Sequence, residues 1–161
     1  MKTSLYVVVT LLVAAVILIQ FGVLGGSPPA DIGVKDSRLK PPSPTRNSVS
    51  SQAALYPDHP QREYADIKPL PLKSSAAAPS LKALTAALRS MPDIKVVEQG
   101  PDYIYAQAQT RWLKFVDDLE FWVNPARGVI ELRSASRLGR EDFGVNRQRI
   151  EAIRAAYLAQ P

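Results

Sequence analysis

Six polar residues in the last third of the chain are of types that could bind a ligand or take part in catalysis. They are Asp117, Ser134, Ser136, Arg137, Asn146 and Arg147. A carboxylate, hydroxyls and an amide gathered in one place could assist a hydrolytic reaction, and the arginines could receive an anionic group. The same side chains could instead satisfy buried backbone groups and close the fold. The sequence leaves both interpretations open.

Two predicted strands must bring these residues together. Phe115–Val123 and Ile130–Ser136 alternate in polarity, and Asn124–Gly128 supplies a turn between them. Antiparallel pairing across this turn places Asp117 opposite Ser136, on the face that also carries the apolar side chains. We therefore expect inward-pointing polar groups at the end of the hairpin where the apolar pairs stop.

Charged residues occupy the other face of the same hairpin. The predicted register places Glu120 beside Arg133 and Asp118 between Arg133 and Arg137. Cross-strand ion pairs of this kind contribute roughly 0.2–1 kcal/mol each. Guanidinium groups would also compete with a hard cation for the carboxylates. We therefore interpret these acidic residues as strand-pairing partners and predict neither a metal nor a cofactor.

A helix is predicted over Val145–Leu158, with Ile150, Ile153 and Tyr157 on its apolar stripe. Stepping back four residues from Ile150 places Asn146 on the same buried face, at the start of the helix. If the cluster binds a ligand, the helix N-terminus with Arg137, Arg140 or Arg147 would receive an anionic group.

The remaining regular segments complete an α+β domain over residues 47–161. Strands are predicted at Ile94–Glu98 and Tyr103–Thr110, and an amphipathic helix begins near Pro79. We expect an antiparallel meander of about four strands with two helices packed on one face.

The N-terminal segment has the composition of a membrane helix. Leu5–Leu24 is twenty residues without a charge, and a helix of that length spans roughly 30 Å. Residues 1–26 are therefore predicted to be an uncleaved signal anchor, with a cleaved signal peptide as the alternative. Lys2 at the boundary favours an N-terminus in the cytoplasm, which places the domain on the periplasmic side of a bacterial inner membrane. The alternative is that Lys35, Arg38 and Lys40 keep the domain in the cytoplasm.

Nine prolines lie between Gly25 and Ser75 and forbid long helices there. We predict a Pro-rich extended linker over residues 27–46. From about Asn47 the chain is expected to lie along the domain, with Ile67–Leu72 as an edge strand.

The charge distribution argues against a nucleic-acid partner. The net charge of +5 divides into +1 before residue 31, +2 over residues 31–75 and +2 over the remainder, whereas a phosphate-binding surface needs concentrated charge.

The sequence contains no cysteine, which excludes thiolate chemistry and disulfides. His59 is the only histidine, and nothing places it beside Ser50 or Ser51 as a catalytic triad requires.

Three segments together resemble the bacterial and plastid family known as domain of unknown function 1499. They are DIGVKDSRLKPPSPTRNSVSSQ at 31–52, IKPLPL at 67–72, and FVDDLEF with LRSASRLGREDFGVNRQRIEAIR within 115–154. The resemblance implies an envelope or lumenal location, often with an N-terminal membrane segment, and it implies no particular reaction. The resemblance implies two cysteines where this chain has Ser43 and Ser48. If that pair forms a disulfide in relatives, this chain lacks the crosslink and its Pro41–Ser51 segment should be looser; if the pair is redox-active, that chemistry is absent here.

Two hypotheses of function follow. The first is a membrane-anchored, non-catalytic envelope domain that binds a partner protein, a lipid or a small anionic ligand. The second is a hydrolase-type enzyme that uses Asp117, Ser134, Ser136 and Asn146. An open pocket around these groups would favour the enzyme, and a filled, hydrogen-bonded cluster would favour the binding domain.

Overall fold

The computed structural model describes residues 2–74 and 76–161; Ser75 and Met1, the first residue of the predicted anchor, lie outside it. Within these ranges the chain forms four α-helices and six β-strands. The helices are α1 (Lys2–Gln20), α2 (Arg62–Ala65), α3 (Ala77–Arg89) and α4 (Val145–Leu158). The strands are β1 (Ser48–Ser50), β2 (Leu70–Pro71), β3 (Ile94–Gln99), β4 (Tyr103–Gln109), β5 (Val116–Asn124) and β6 (Val129–Ser136).

The strands form one antiparallel sheet in the order β1-β6-β5-β4-β3, and β2 also pairs with β6. The predicted α+β class and the four-stranded meander β3–β6 are confirmed. The predicted register of the β5–β6 hairpin is confirmed as well, with Asp117 opposite Ser136 and Val123 opposite Ile130. Two very short strands, β1 and β2, extend the sheet beyond β6.

One face of the sheet carries the hydrophobic core. Leu119, Phe121 and Leu132 are fully buried there and form one cluster with the apolar stripes of α3 and α4. From α4 this cluster takes Ile150, Ile153 and Tyr157, as the periodicity predicted. Each of these large side chains contributes about 1.5–3 kcal/mol through removal from water.

The opposite face of the sheet is also buried, although it is charged. Asp118, Glu120, Glu131 and Arg133 are each at most 5% exposed. Together with Arg137 and the phenols of Tyr103 and Tyr105 they form what we call the ionic layer. The sequence predicted ion pairs across this face but treated their side chains as exposed to solvent. The structure corrects this, because the side chains are buried.

The ionic layer is covered by residues 26–47, here called the strap, which include the predicted linker. The backbone N–H of Gly33 donates to Glu120 Oε1 at 2.7 Å. Arg133 Nε donates to the carbonyl oxygen of Pro41 at 3.2 Å, and Leu39 is 1% exposed. The stretch predicted as a linker thus lies against the sheet. Where prolines prevent regular backbone hydrogen bonding, carbonyl oxygens such as that of Pro41 stay free to accept hydrogen bonds from a buried arginine.

Helix α1 differs from the predicted anchor. The anchor was predicted over residues 1–26, whereas α1 covers Lys2–Gln20. The helix ends there because Gly22 adopts a left-handed conformation with φ 80° and a short 3₁₀ turn follows at Val23–Gly25. None of the described helices combines the length and hydropathy needed to cross a membrane. The predicted transmembrane helix is therefore not found in the described part of the chain.

A double-mutant comparison tests the ionic layer. Arg133 Nη1 lies 3.5 Å from Glu120 Oε2, and both side chains are almost fully buried. We expect Arg133→Met to lower the free energy of unfolding by about 3–5 kcal/mol, because it leaves a buried carboxylate without its counter-charge. Adding Glu120→Gln should recover part of this loss, since a neutral amide tolerates burial better than a carboxylate.

Urea denaturation followed by circular dichroism provides the measurement. The exposed Arg62 of α2 offers a matched control, and Arg62→Met should change the free energy of unfolding by no more than about 0.5 kcal/mol. Equal, small effects of both arginine substitutions would contradict a structural role for the layer.

Candidate functional site

Ser134 and Asn146 lie at the centre of the predicted polar cluster, and both are fully buried. The Ser134 hydroxyl on β6 donates to the side-chain oxygen of Asn146, in the first turn of α4. The Asn146 amide nitrogen donates to Ser136 Oγ at 3.0 Å and to the backbone oxygen of Asn47 at 3.2 Å. A single amide therefore joins β6, α4 and the end of the strap. We call this arrangement the polar knot.

The carboxylate of Asp142, which sequence reasoning missed, completes the knot. It accepts hydrogen bonds from Asn146 Nδ2 at 2.8 Å, from the backbone N–H of Gly144 at 2.9 Å and from the hydroxyl of Tyr64. Asp142 lies just before α4, where the partial positive charge of a helix N-terminus stabilises a carboxylate. An acidic residue at that position was the available sequence signal.

These contacts set the protonation states of two groups. Burial alone raises the pKa of Asp142, but hydrogen bonds from Tyr64, Gly144 and Asn146 outweigh it and hold the pKa below its ordinary value of 3.8. Burial, followed by the hydrogen bond to Asp142, raises the pKa of Tyr64 to about 12. At neutral pH the pair is thus a carboxylate and a neutral phenol.

Asp117 forms a buried ion pair beside the knot. Its Oδ2 atom lies 2.7 Å from Arg149 Nη2, and the two side chains are 9% and 10% exposed. Arg149 Nη1 also donates to Asn146 Oδ1 at 3.1 Å. Sequence reasoning missed Arg149, although it lies three residues after Asn146 and therefore shares its helical face.

The geometry of the knot suits a structural network rather than a nucleophile and base. The partner of the Ser134 hydroxyl is an amide oxygen, which cannot act as a general base. Asp117, the carboxylate predicted for that task, is held by Arg149. The sequence also suggested that Asn146 would hydrogen-bond to the backbone of the loop before α4. Instead Asn47 Nδ2 donates to the carbonyl oxygen of Gly139 in that loop, at 2.7 Å.

Arg137 and Arg147, two of the arginines predicted to receive an anionic group, lie away from the knot. Arg137 points to the opposite face of the sheet, where Nε and Nη2 bind the two carboxylate oxygens of Asp118 at 2.9 and 2.7 Å. Alternation along β6 explains this placement, because Arg137 follows Ser136 and successive residues face opposite sides. Arg147 lies one residue beyond Asn146 on α4 and donates to the carbonyl oxygens of Tyr64 and Asp66 at 2.6 and 2.8 Å.

The ionic layer contains a second hydrogen-bonded network. Tyr105 Oη donates to Asp118 Oδ1 at 2.6 Å and accepts from Arg137 Nη2 at 3.2 Å. The hydrogen bond to Asp118, which outweighs burial, raises the pKa of Arg137 above its ordinary value. Burial and the neighbouring Glu120 carboxylate raise the pKa of Tyr103. At neutral pH the Arg137 guanidinium is therefore charged and the Tyr103 phenol is neutral.

His59 and the serines that we considered for nucleophilic catalysis are engaged separately. His59 Nδ1 accepts the backbone N–H of Gln61 at 3.1 Å. Ser50 Oγ accepts from the backbone N–H of Gln52 at 3.1 Å, and Ser51 Oγ donates to Glu131 at 2.7 Å. Across residues 2–74 and 76–161, no group of three or more His, Asp or Glu side chains is arranged to hold a metal ion.

Ser43, in the strap, lies beside Ser48, the first residue of β1. The backbone N–H of Ser43 donates to Ser48 Oγ at 2.7 Å. Ser48 begins β1 and is fully buried. A hydrogen bond therefore closes this bend of the strap, in a chain that has no cysteine to form a disulfide.

Fold and site together define a class of protein: a small α+β domain whose single sheet is covered by two helices on one face and by a proline-rich strap on the other. The chain belongs to the family described as protein of unknown function (DUF1499), whose family model matches residues 38–157. The matched range includes β1–β6, the ionic layer and the knot. It confirms the resemblance to this family that the sequence segments indicated. No curated protein matches the chain significantly.

The knot predicts a large loss of stability for Asn146→Ala. Removing the amide leaves the Ser134 hydroxyl and the Asn47 carbonyl without a buried partner, so we expect the free energy of unfolding to fall by about 3 kcal/mol. Gln148→Ala, an exposed amide on the same helix, should stay within about 0.5 kcal/mol of the wild type. Thermal and urea denaturation measure both, and a wild-type-like Asn146→Ala would contradict the knot.

The lowered pKa of Asp142 predicts a pH-dependent contribution to stability. A carboxyl whose pKa is lower in the folded state stabilises that state above its ordinary pKa, and the contribution is lost as the pH falls through the folded-state value. Asp142→Asn should therefore be less stable than wild type at pH 7, and the difference should shrink below about pH 3.8.

Urea titrations between pH 2.5 and 7 test this prediction about Asp142. Asp58→Asn, at an exposed position, should follow the wild-type profile over the same range. A constant difference between wild type and Asp142→Asn at every pH would show that Asp142 does not titrate as a stabilising carboxylate.

Proposed function

We propose that this protein is a non-catalytic accessory domain of the bacterial envelope, attached to a membrane through α1. The observation that carries the proposal is the exposed apolar surface of this helix. Eleven large side chains between Leu5 and Leu18 are 48–69% exposed, namely Leu5, Tyr6, Val7, Val8, Val9, Leu11, Leu12, Val13, Val16, Ile17 and Leu18. Apolar surface of this extent is unfavourable in water, and a helix that is apolar on every side belongs in lipid or inside protein.

The proposed orientation rests on charge. Lys2 is the only charged side chain before residue 31, and positively charged N-terminal residues favour the cytoplasmic side. The domain would then occupy the periplasm, which requires the whole uncharged segment Leu5–Leu24, and not α1 alone, to cross the bilayer. The family resemblance, which implies an envelope or lumenal location, agrees with this orientation.

The way the candidate catalytic groups are engaged argues against the hydrolase alternative. Ser134 and Asn146 are fully buried, and Asp117 is neutralised by Arg149. Substrate could reach these groups only after the knot opened. The hydrolase hypothesis therefore has no supporting observation, and a partner protein, a lipid or a small anionic ligand would be bound at the surface of the domain.

Membrane attachment is tested by flotation and protease accessibility of the full chain expressed in a Gram-negative bacterium. We expect the wild type to float with membranes after carbonate washing, and external protease to digest the domain in spheroplasts. Val9→Glu with Val13→Glu should release the protein, because each charge is costly inside lipid. Lys82→Glu on the exposed side of α3 serves as the control and should float like the wild type.

A wild-type protein that stays soluble would contradict attachment, and a domain protected from protease in spheroplasts but digested after lysis would contradict the orientation. Crosslinking of the floated protein, followed by mass spectrometry of proteins and extracted lipids, identifies what it binds. Recovery of neither a protein nor a lipid species would contradict the binding role.

A further inference from the structure

We propose that the loop Thr110–Phe115 between β4 and β5, here called the tryptophan loop, is a second membrane contact. Trp112 and Leu113 enter the headgroup region of the bilayer, and Arg111 and Lys114 bind anionic phospholipid headgroups. This inference rests on the proposed attachment of α1 and names the lipid surface that the domain recognises.

The tryptophan loop projects from a fixed base. The backbone N–H of Thr110 donates to the carbonyl oxygen of Phe115 at 2.9 Å, and the backbone N–H of Phe115 donates to Thr110 Oγ1 at 3.0 Å. These two bonds close the loop at the end of the β4–β5 pair. Lys114 adopts φ 59°, which sharpens the return toward β5. The four intervening residues therefore form a tip held at a defined place on the domain.

The tip presents large apolar side chains to the outside. Trp112 is 73% exposed and Leu113 is 47% exposed. In the same chain Trp122 is 6% exposed on the second face of the sheet, so exposure is specific to the loop tryptophan. Tryptophan combines an apolar ring with a hydrogen-bond donor, and this combination favours the interface between lipid and water.

The position of the loop points to a membrane as its occupant. Gln20, the last residue of α1, donates from Nε2 to the carbonyl oxygen of Trp112 at 3.3 Å. Gly25, just beyond α1, lies so close that a Cβ atom there would be 3.7 Å from the carbonyl oxygen of Lys114. The exposed Phe21 and Val23 continue the apolar surface between helix and loop. Lipid that surrounds α1 would therefore reach the tryptophan loop as well.

The charge of the loop favours anionic lipid. Arg111 and Lys114 flank the two apolar residues, and the loop contains no acidic residue. The Arg111 guanidinium lies 5.2 Å from the centre of the Trp112 ring. A cleft of about 760 Å³ opens beside the loop, and its lining includes the basic residues Lys95, Arg111 and Lys114 with one acidic residue, Asp93. Basic side chains close to a bilayer are attracted by its negative surface potential.

Tryptophan fluorescence of the full chain in vesicles tests the proposal. The vesicles contain phosphatidylcholine and phosphatidylglycerol at 70:30, with or without bromine atoms near the headgroup ends of the acyl chains. Subtracting the spectrum of Trp112→Phe from that of the wild type isolates the emission of Trp112. We expect brominated lipid to quench this difference emission at least twofold, while the remaining Trp122 emission changes little.

Flotation of the same samples separates this inference from the proposed function. Protein that floats with an unquenched Trp112 would overturn the loop contact and leave the attachment of α1 standing. Protein that does not float at all would overturn both.

A charge reversal tests the choice of lipid. Arg111→Glu with Lys114→Glu should reduce the quenching of Trp112 at least twofold, and wild type in vesicles of phosphatidylcholine alone should show the same reduction. Lys82→Glu with Arg89→Glu reverses two exposed charges on α3 and should leave the quenching unchanged. Equal quenching in all four samples would overturn the recognition of anionic headgroups.

Discussion

Burial of the charged second face of the sheet is the constraint on which the rest of the structure depends. Asp118 and Glu120 on β5 lie beneath the strap, where a carboxylate without a partner would be strongly destabilising. Each therefore has a guanidinium from Arg137 or Arg133. Because the remaining donors of these arginines still need acceptors, backbone carbonyl groups must lie against the layer. The strap supplies them through the carbonyl oxygens of Pro41, which accepts from Arg133, and of Gly26, which accepts from Arg137.

The polar knot connects the strap to the helical side of the molecule. Asn47, at the end of the strap, accepts a hydrogen bond from the backbone N–H of Ser136 at 3.0 Å and another from Asn146. The ionic layer and the helical core are therefore joined at one corner of the sheet. Polar residues at this corner hold the orientation of α4 by directional bonds, whereas apolar contacts alone would allow the helix to shift.

The periodicity of apolar residues along the sequence predicted those strands and helices in which buried side chains recur at regular intervals. The β5–β6 register and the bounds of α4 agree with the sequence because alternation and a helical stripe determine them locally. The same reasoning brought Ser134, Ser136 and Asn146 together. It could not find Asn47 or Tyr64, whose contacts depend on where a segment without periodicity lies in space. It also could not show that Glu120 is buried, because the strap that covers it carries no pattern of its own.

The strap also affects the order in which the protein can fold. Its contacts join residues far apart in sequence: Gly26 with Arg137, Pro41 with Arg133, and Asn47 with Asn146, at separations of 111, 92 and 99 residues. Contacts of such range slow folding, because a long loop must close before they form. During synthesis the strap leaves the ribosome well before its partners on β6 and α4. We therefore expect the carboxylates of β5 to remain solvated until β6 has paired with β5, with closure of the strap over them as a late step of folding.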